Sequence, residues 1–276
     1  MTNEERKKLL EKTRFSFENP INKEIALTVN DLLSIDIEIF RKEHSNTILD
    51  DLCFGFAQKS LNIFAGASGS GKSLLLLHIA YNFALTHDKV CYISFENDID
   101  TDIARIHEMV NTYGGKSNLN YYNYTMLSNA GYGVTKKDIY KLFEDYDYIF
   151  LDEFQIVFDS NNAEDGAGMH VNGNKIMKEL YNISISNNKI FFLTWQLARG
   201  AKAKTKEEQC TDDISYSIGV IRYAKTVWII DSRPCKKEEC PSWTIKLDKT
   251  RNEGIQGKIV SVYDRLNKRI DIGINK

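Results

Sequence analysis

Eight consecutive residues carry the clearest chemistry in this sequence. They are Gly66, Ala67, Ser68, Gly69, Ser70, Gly71, Lys72 and Ser73, and they have the spacing of a phosphate-binding P-loop. The glycines allow successive backbone N–H groups to converge on a phosphate, and the start of the following helix adds partial positive charge. We expect Lys72 to reach the β- and γ-phosphates of ATP, and the Ser73 hydroxyl to ligate Mg2+.

The segments on either side of this loop match what a P-loop requires. Residues 61–65 form an apolar run typical of a buried strand, and residues 74–80 are typical of a helix packed on a sheet. A serine- and glycine-rich loop without a ligand would not need these neighbours. The sequence therefore predicts a nucleoside triphosphate site.

Acidic residues at two later strand ends are candidates for the remaining chemistry. Asp152 closes the hydrophobic run over residues 148–151, where an acid can order Mg2+ through its waters. Hydrolysis also needs a group that orients or deprotonates the attacking water. Glu153 adjoins Asp152, and Glu96 follows the apolar strand predicted over residues 89–95. Spacing alone does not decide between these two glutamates.

Polar and cationic residues farther along could contact phosphates. Gln196 ends a buried strand over residues 189–195, where its amide could sense the γ-phosphate. Lys249 and Arg251 flank Thr250 at a late strand end and could act on a phosphate in a neighbouring subunit. A strip for nucleic-acid phosphates, which a solvated basic loop would also resemble, comprises Arg199, Lys202, Lys204 and Lys206.

The pattern of elements predicts an α/β fold. Strands alternate with helices up to the strand over residues 189–195, and a run of strands follows between residues 226 and 263. This order fits a mostly parallel sheet with helices on both faces and antiparallel strands added at one edge. Polar segments over residues 159–173 and 200–215 are predicted loops, with a helix over residues 175–186 between them.

The chain divides into two parts at the level of sequence. Residues 1–45 are predicted to form an arm, in which apolar residues between Ile21 and Phe40 need a covering surface from this subunit or a neighbour. Residues 46–276 are predicted to form the nucleotide-binding domain. The net charge of -2 neither indicates nor excludes nucleic-acid binding, because a channel can place its cations in a few loops.

Cysteine usage and hydropathy indicate the compartment. There are five cysteines, and Cys235 and Cys240 lack a second pair at zinc-finger spacing, so they are predicted to be free thiols. An odd cysteine count beside an ATP motif indicates a reducing cytoplasm. No apolar run approaches membrane-spanning length, and the charged amino terminus is unlike a signal peptide, so no membrane contact is expected.

Taken in order, five segments resemble the RecA-like motor domain of DnaB-type hexameric replicative helicases. The resemblance extends from about residue 49 to about residue 263. The matching segments are the P-loop, Ile93-Ser94-Phe95-Glu96, Phe150-Leu151-Asp152-Glu153-Phe154-Gln155, Leu193-Thr194-Trp195-Gln196-Leu197-Ala198-Arg199 and Lys249-Thr250-Arg251-Asn252-Glu253-Gly254.

The resemblance implies specific roles. Glu96 matches the catalytic glutamate, and Gln196 matches the glutamine that links nucleotide state to the DNA loops. Lys249 and Arg251 match trans-acting cations, with Arg251 as the arginine finger. The predicted loops over residues 159–173 and 200–215 match two central-channel loops that hold single-stranded DNA. A homohexameric ring hydrolysing ATP with Mg2+ at subunit interfaces, in DNA replication or recombination, is thereby implied, with primase, polymerase or a loader as further partners.

Three departures accompany the resemblance. The family's amino-terminal domain, which contacts loader and primase, is replaced by the short arm. Glu153 stands where the family usually has no acid, and residues 217–225 lack the acids usual there. A compact motor of this kind suggests a phage-encoded protein acting in the host cytoplasm. The rival hypotheses are a RecA- or KaiC-like recombination or signalling ATPase, and an accessory or loader ATPase that does not unwind DNA.

Overall fold

The computed structural model describes residues 42–45, 47–113, 117–124, 135–155, 169–198, 200–201, 204–205, 208–214, 217–232, 243–251, 254–257, 259–261, 263–264 and 269–270. Some of the sequence predictions lie outside these residues. They concern the arm up to residue 41, most of the loop over residues 159–173, the Cys235–Cys240 pair, and the side chains Arg199, Lys202 and Lys206.

Helices and strands alternate along the described chain. The α-helices are α1 (Asp50–Cys53), α2 (Lys72–Phe83), α3 (Ile99–Tyr113), α4 (Lys136–Leu142), α5 (Met169–Ser186) and α6 (Ser217–Tyr223). The strands are β1 (Lys42–Glu43), β2 (Phe56–Ala57), β3 (Ser60–Gly66), β4 (Val90–Ser94), β5 (Leu119–Asn123), β6 (Tyr148–Asp152), β7 (Ile190–Gln196), β8 (Thr226–Asp231), β9 (Thr244–Thr250), β10 (Ile259–Ser261), β11 (Tyr263–Asp264) and β12 (Arg269–Ile270).

Eight of these strands form one sheet in the order β10-β9-β8-β3-β7-β6-β4-β5. The six strands from β8 to β5 in that order are parallel to their neighbours, whereas β9 and β10 are antiparallel additions at one edge. The predicted fold class is therefore confirmed. Parallel strands need crossover connections, which is why helices lie between them in the chain.

The central strands are apolar on both faces because both faces are covered. All seven residues of β3 are buried, and adjacent residues enter different cores, with Ile63 in one and Phe64 in the other. Aromatic rings fill the second core, where Phe150 stacks on Phe192 with ring centroids 4.3 Å apart. These two cores hold the strands in register, so their carboxyl ends meet at one edge of the sheet.

Two element boundaries differ from the sequence predictions. Helix α5 begins at Met169, so the predicted loop over residues 159–173 is wrong for Met169–Gly173. Its later residues Ile176 and Met177 are buried in the core, and an anchored helix extends at one hydrogen bond per added residue despite polar side chains. Strand β9 continues to Thr250, three residues past its predicted end, because its pairing with β8 continues to Thr226.

Candidate nucleotide-binding site

The P-loop lies at the carboxyl edge of the sheet, between the end of β3 and the start of α2. Gly69 and Gly71 have φ angles of 78° and 79°, a left-handed conformation that glycine adopts without strain. A Cβ on Gly66 would lie 2.3 Å from Ser70 Oγ and 2.9 Å from the Ile230 carbonyl oxygen. The loop can therefore close this tightly only with glycine at position 66.

The loop chemistry fits a phosphate. The Ser70 hydroxyl is buried and has no hydrogen-bond partner within the described part of the chain, which suits a group awaiting an external acceptor. Gly71 precedes the first residue of α2, so the N–H groups of that first turn are available to an anion.

Lys72 is held by a buried contact that the sequence did not indicate. Its ammonium lies 3.1 Å from Glu153 Oε1 and donates to the Ala67 carbonyl oxygen at 3.3 Å. Only 4% of the Lys72 side chain and 3% of the Glu153 side chain are exposed to solvent. The cation predicted to bind phosphates therefore already has a carboxylate partner.

Asp152 lies at the end of β6 and is fully buried. Its carboxylate accepts hydrogen bonds from Thr194 Oγ1 at 2.9 Å and Asn97 Nδ2 at 3.1 Å, and the Ser73 side chain also hydrogen-bonds to it. Burial, followed by the negative charge of Glu153, raises the pKa of Asp152 to about 6, although the hydrogen bonds from Ser73 and Thr194 act in the opposite direction.

These contacts bring the two predicted magnesium ligands together. Mg2+ prefers hard oxygen ligands and takes only one or two protein carboxylates, with water and phosphate oxygens completing its shell. The Ser73 hydroxyl and the Asp152 carboxylate fit that requirement. No group of three or more His, Cys, Asp or Glu residues suited to a metal occurs among the described residues, so phosphate and water would complete the coordination.

The two competing glutamates occupy different environments. Glu96 follows β4 and its side chain is exposed, whereas Glu153 is buried against Lys72. Partial desolvation, and next the charge of Glu153, raises the pKa of Glu96, and Lys72 lowers it. Both acids therefore lie near the P-loop lysine, but of the two only Glu96 is open to water.

Glu153 also joins the site to two glutamines. Gln155 Nε2 and Gln196 Nε2 donate to its Oε2 at 3.2 Å and 3.3 Å. Its backbone has a φ angle of 53°, unusual outside glycine, and its N–H donates to Thr194 Oγ1 at 2.6 Å. Sequence reasoning treated Glu153 only as a candidate base, although its acidic character at an unexpected position was a signal of a distinct role.

The predicted trans-acting cations lie at the opposite edge of the sheet. Lys249 is paired with Val227, near the amino end of β8, and its ammonium donates to the Ile221 carbonyl oxygen at 2.5 Å. Arg251 donates to the Arg222 carbonyl oxygen at 2.6 Å. Both cations contact the last turn of α6, a location that favours positive charge. Burial, and next the charge of Arg251, lowers the pKa of Lys249.

Only Lys204 of the four predicted nucleic-acid contacts is a described residue. Its ammonium forms an ion pair with Asp213 at 2.6 Å, in a short 3-10 helix over Thr211–Asp213. The hydrogen bond from Lys204 to Asp213 raises the pKa of Lys204. Part of the predicted loop is thus ordered by internal contacts, and the nucleic-acid role of these cations stays a prediction.

One aromatic residue beside the P-loop was absent from the sequence prediction. A Cβ on Gly71 would lie 1.8 Å from the indole ring of Trp243, so this ring packs directly on the loop backbone. Trp243 immediately precedes β9, whose antiparallel direction brings its first residues to the P-loop edge. No spacing rule links positions 71 and 243, because only the sheet brings them together.

Comparison with known proteins gives one family and one fold. A sequence profile of AAA domains matches residues 34–194, which is more than half of the chain. The structure is similar to the solved ATPase domain of a DnaB-like phage helicase, with a TM-score of 0.61 and 12% identity over 86% of this chain and 92% of that one. It is also similar to the KaiC-like protein PH0186 from Pyrococcus horikoshii OT3, with a TM-score of 0.52 and 16% identity over 77% and 89%.

These structural matches confirm the expected RecA-like fold. No curated protein matches the sequence significantly. Among the described residues, no helix has both the length and the apolar character needed to cross a bilayer.

Proposed function

This chain belongs to the family of AAA domains and is a P-loop ATP hydrolase, and on that premise we propose that it is a motor acting on single-stranded DNA. In this proposal the chain assembles as a ring, hydrolyses ATP between subunits, and translocates on DNA to unwind a duplex. The observation that carries the proposal is the position of Lys249 and Arg251 at the sheet edge opposite their own P-loop.

The register of the strands gives the size of that separation. Gly66 pairs with Ile230, whereas Lys249 pairs with Val227, three residues earlier on the same strand. Three residues of strand span about 10 Å, and two strand spacings add roughly 10 Å sideways. Since the P-loop extends beyond Gly66 and Arg251 lies farther still, neither cation reaches phosphates bound by its own chain. A phosphate contact by these residues therefore requires a second subunit.

Each residue at the P-loop edge then has a defined task. Lys72 would contact the β- and γ-phosphates, and Ser73 with Asp152 would hold Mg2+, which neutralises phosphate charge when bound. Glu96 would accept the proton of the attacking water, because its carboxylate is exposed. Glu153 is less suited to that task, since its carboxylate is buried against Lys72, Gln155 and Gln196.

A complementation experiment tests the trans arrangement. Lys72→Ala removes the P-loop cation and Arg251→Ala removes the finger, so each protein alone should hydrolyse ATP at least about 100-fold more slowly. In a reassembled equal mixture, one interface in four would combine an intact P-loop with an intact finger. We expect hydrolysis to recover toward a quarter of the unmutated rate. Arg222→Ala, which removes a nearby cation, is the matched control and should retain DNA-stimulated hydrolysis.

The competing explanation is that Lys249 and Arg251 only cap the end of α6. In that case Arg251→Ala would lower stability, and mixing it with Lys72→Ala would restore no activity. Denaturant unfolding of each protein, measured beside the ATPase assay, separates a lost cap from a lost finger. Failure of the mixture to recover, with both proteins folded and exchanging subunits, would overturn the trans arrangement.

A second candidate function is a RecA- or KaiC-like recombination or signalling ATPase. The structural similarity to a KaiC-like protein favours it, because that match covers 77% of the chain. Electron microscopy with single-stranded DNA and a non-hydrolysable ATP analogue distinguishes a ring from a filament. A forked-duplex assay adds the decisive activity, since ATP hydrolysis without unwinding would favour the second candidate or an accessory ATPase.

A further inference from the structure

The structure points to Glu153 as a positioning residue that transmits nucleotide binding to the start of both predicted DNA loops, and we propose this coupling as its role. Gln155 comes directly before the segment containing the first predicted loop, and Gln196 comes shortly before the second. Glu153 contacts both glutamines and the P-loop lysine at once. The identity of the loops rests on the proposed function, whereas the contacts do not.

The two carboxylate oxygens of Glu153 divide this work. Oε1 lies 3.1 Å from Lys72 Nζ, whereas Oε2 accepts Gln155 Nε2 at 3.2 Å and Gln196 Nε2 at 3.3 Å. The three partners come from α2, the segment after β6, and the end of β7. One buried side chain therefore connects the phosphate-binding element with both strand ends.

The backbone around Gln196 leaves it dependent on this cluster. On the β6 side, strand pairing of β7 ends at the Leu151–Leu193 pair, three residues before Gln196. The Gln196 N–H is instead donated to the side-chain oxygen of Gln155 at 3.4 Å. That long hydrogen bond replaces a missing ladder contact, so the position of Gln155 controls how well the Gln196 amide is protected.

Phosphate binding would change the balance at Glu153. Lys72 is the cation available to both the carboxylate and the phosphates, so phosphates compete with Glu153 for it. When Lys72 turns toward phosphate, the two glutamine amides become the main donors left to the buried carboxylate. A buried charge draws its remaining donors closer, so Gln155 and Gln196 should shift together.

The backbone keeps Glu153 in place for this exchange. Its N–H is bonded to Thr194 Oγ1, and the same hydroxyl donates to Asp152 Oδ1 at 2.9 Å. The left-handed φ angle of 53° directs the side chain away from the line of β6. The carboxylate can therefore change partners without a change in the magnesium ligand beside it.

Amide hydrogen exchange of the intact protein tests the coupling without DNA. We expect a non-hydrolysable ATP analogue with Mg2+ to slow exchange at the Gln196 amide at least about threefold, because its hydrogen bond to Gln155 tightens. Glu153→Gln should abolish that response, since a neutral amide no longer holds Lys72. The same variant should bind ADP about three to ten times more tightly, because phosphates no longer compete with a carboxylate.

Two further variants keep the outcome decisive. Glu96→Gln removes an acid close to Lys72 that does not contact the glutamines, so it should lose hydrolysis but keep the exchange response. Gln196→Met leaves the Lys72–Glu153 pair intact, so it should keep the ADP affinity of the unmutated protein. Circular dichroism confirms that each variant is folded, and if Glu153→Gln is not, Gln196→Met and the unmutated protein still decide the test.

An unchanged Gln196 amide in the unmutated protein would overturn the inference, as would an equal response in Glu153→Gln. The motor proposal fails separately. If nucleotide alters the Gln196 amide through Glu153 while single-stranded DNA never stimulates hydrolysis, the coupling stands and the DNA-motor assignment is wrong.

Discussion

Thr194→Val removes one oxygen that supports both acids of the site. The Thr194 hydroxyl is fully buried, donates to Asp152 Oδ1 at 2.9 Å and accepts the Glu153 N–H at 2.6 Å. Valine has nearly the same shape and suits a strand, so the packing is kept and only the hydrogen bonds are lost. The substitution therefore isolates the polar contribution of one side chain.

The expected loss of stability follows from those two bonds. A hydrogen bond to a charged group contributes about 1.5–3 kcal/mol, and a buried N–H left without a partner costs about 1–3 kcal/mol. Allowing for partial rearrangement, Thr194→Val should lower the free energy of unfolding by about 2–4 kcal/mol. Because Asp152 also loses a donor that orients it, we expect the Mg2+ concentration for half-maximal ATPase activity to rise by about three- to tenfold.

Thr226→Val is a closely matched control. Thr226 is also buried on a strand, and its hydroxyl donates to Asn62 Oδ1 at 2.8 Å and accepts the Trp228 Nε1–H at 3.1 Å. It lies at the amino edge of the sheet, away from the P-loop. Its loss should destabilise the fold by about 1–3 kcal/mol and leave the Mg2+ requirement unchanged.

Denaturant unfolding followed by circular dichroism, and ATPase rates titrated with Mg2+, measure the two effects. The reasoning would be refuted if both valine variants changed the Mg2+ requirement equally, or if Thr194→Val changed stability alone. Either result would mean that Thr194 supports the fold without positioning the acids.

Other predictions follow from the same site. Gly69→Ala and Gly71→Ala impose the same left-handed strain of about 1–2 kcal/mol, but only the latter places its methyl group against Trp243, so it should unfold at lower denaturant and bind ATP more weakly. Adding Trp243→Ala should restore part of that loss, and no recovery would exclude the clash. Since burial and the charge of Glu153 raise the pKa of Glu96, and a base acts when deprotonated, kcat should decline with acidity at a higher pH than an ordinary glutamate gives. Glu153→Gln should move this limb to lower pH, and an unchanged profile would contradict Glu96 as the base.

Local chemistry made the P-loop readable from the sequence. A strand, a glycine turn and a helix are contiguous in the chain, so spacing alone places Lys72 and Ser73. The boundaries of α3 were predicted correctly, and those of β4 to within one residue at each end, because apolar periodicity is also a local signal. The start of α5 was not, because packing of Ile176 and Met177 stabilises residues that are polar in sequence.

Contacts between distant segments could not be predicted in this way. The ion pair of Lys72 with Glu153 joins residues 81 positions apart, and the packing of Trp243 on Gly71 spans 172 positions. Both depend on which strands are neighbours and in which direction they run. Sequence spacing holds no information on either once a crossover intervenes.

The sequence by itself therefore determined the nucleotide chemistry, the α/β class and the candidate acids, since residue type and local periodicity encode these. Tertiary structure alone decided that Glu153 is the partner of Lys72 while Glu96 faces water. It also decided that Lys249 and Arg251 lie at the far edge of the sheet, because β9 runs antiparallel to β8. The physical reason is that strand direction and register, set by burial of both faces of the sheet, determine which charges meet.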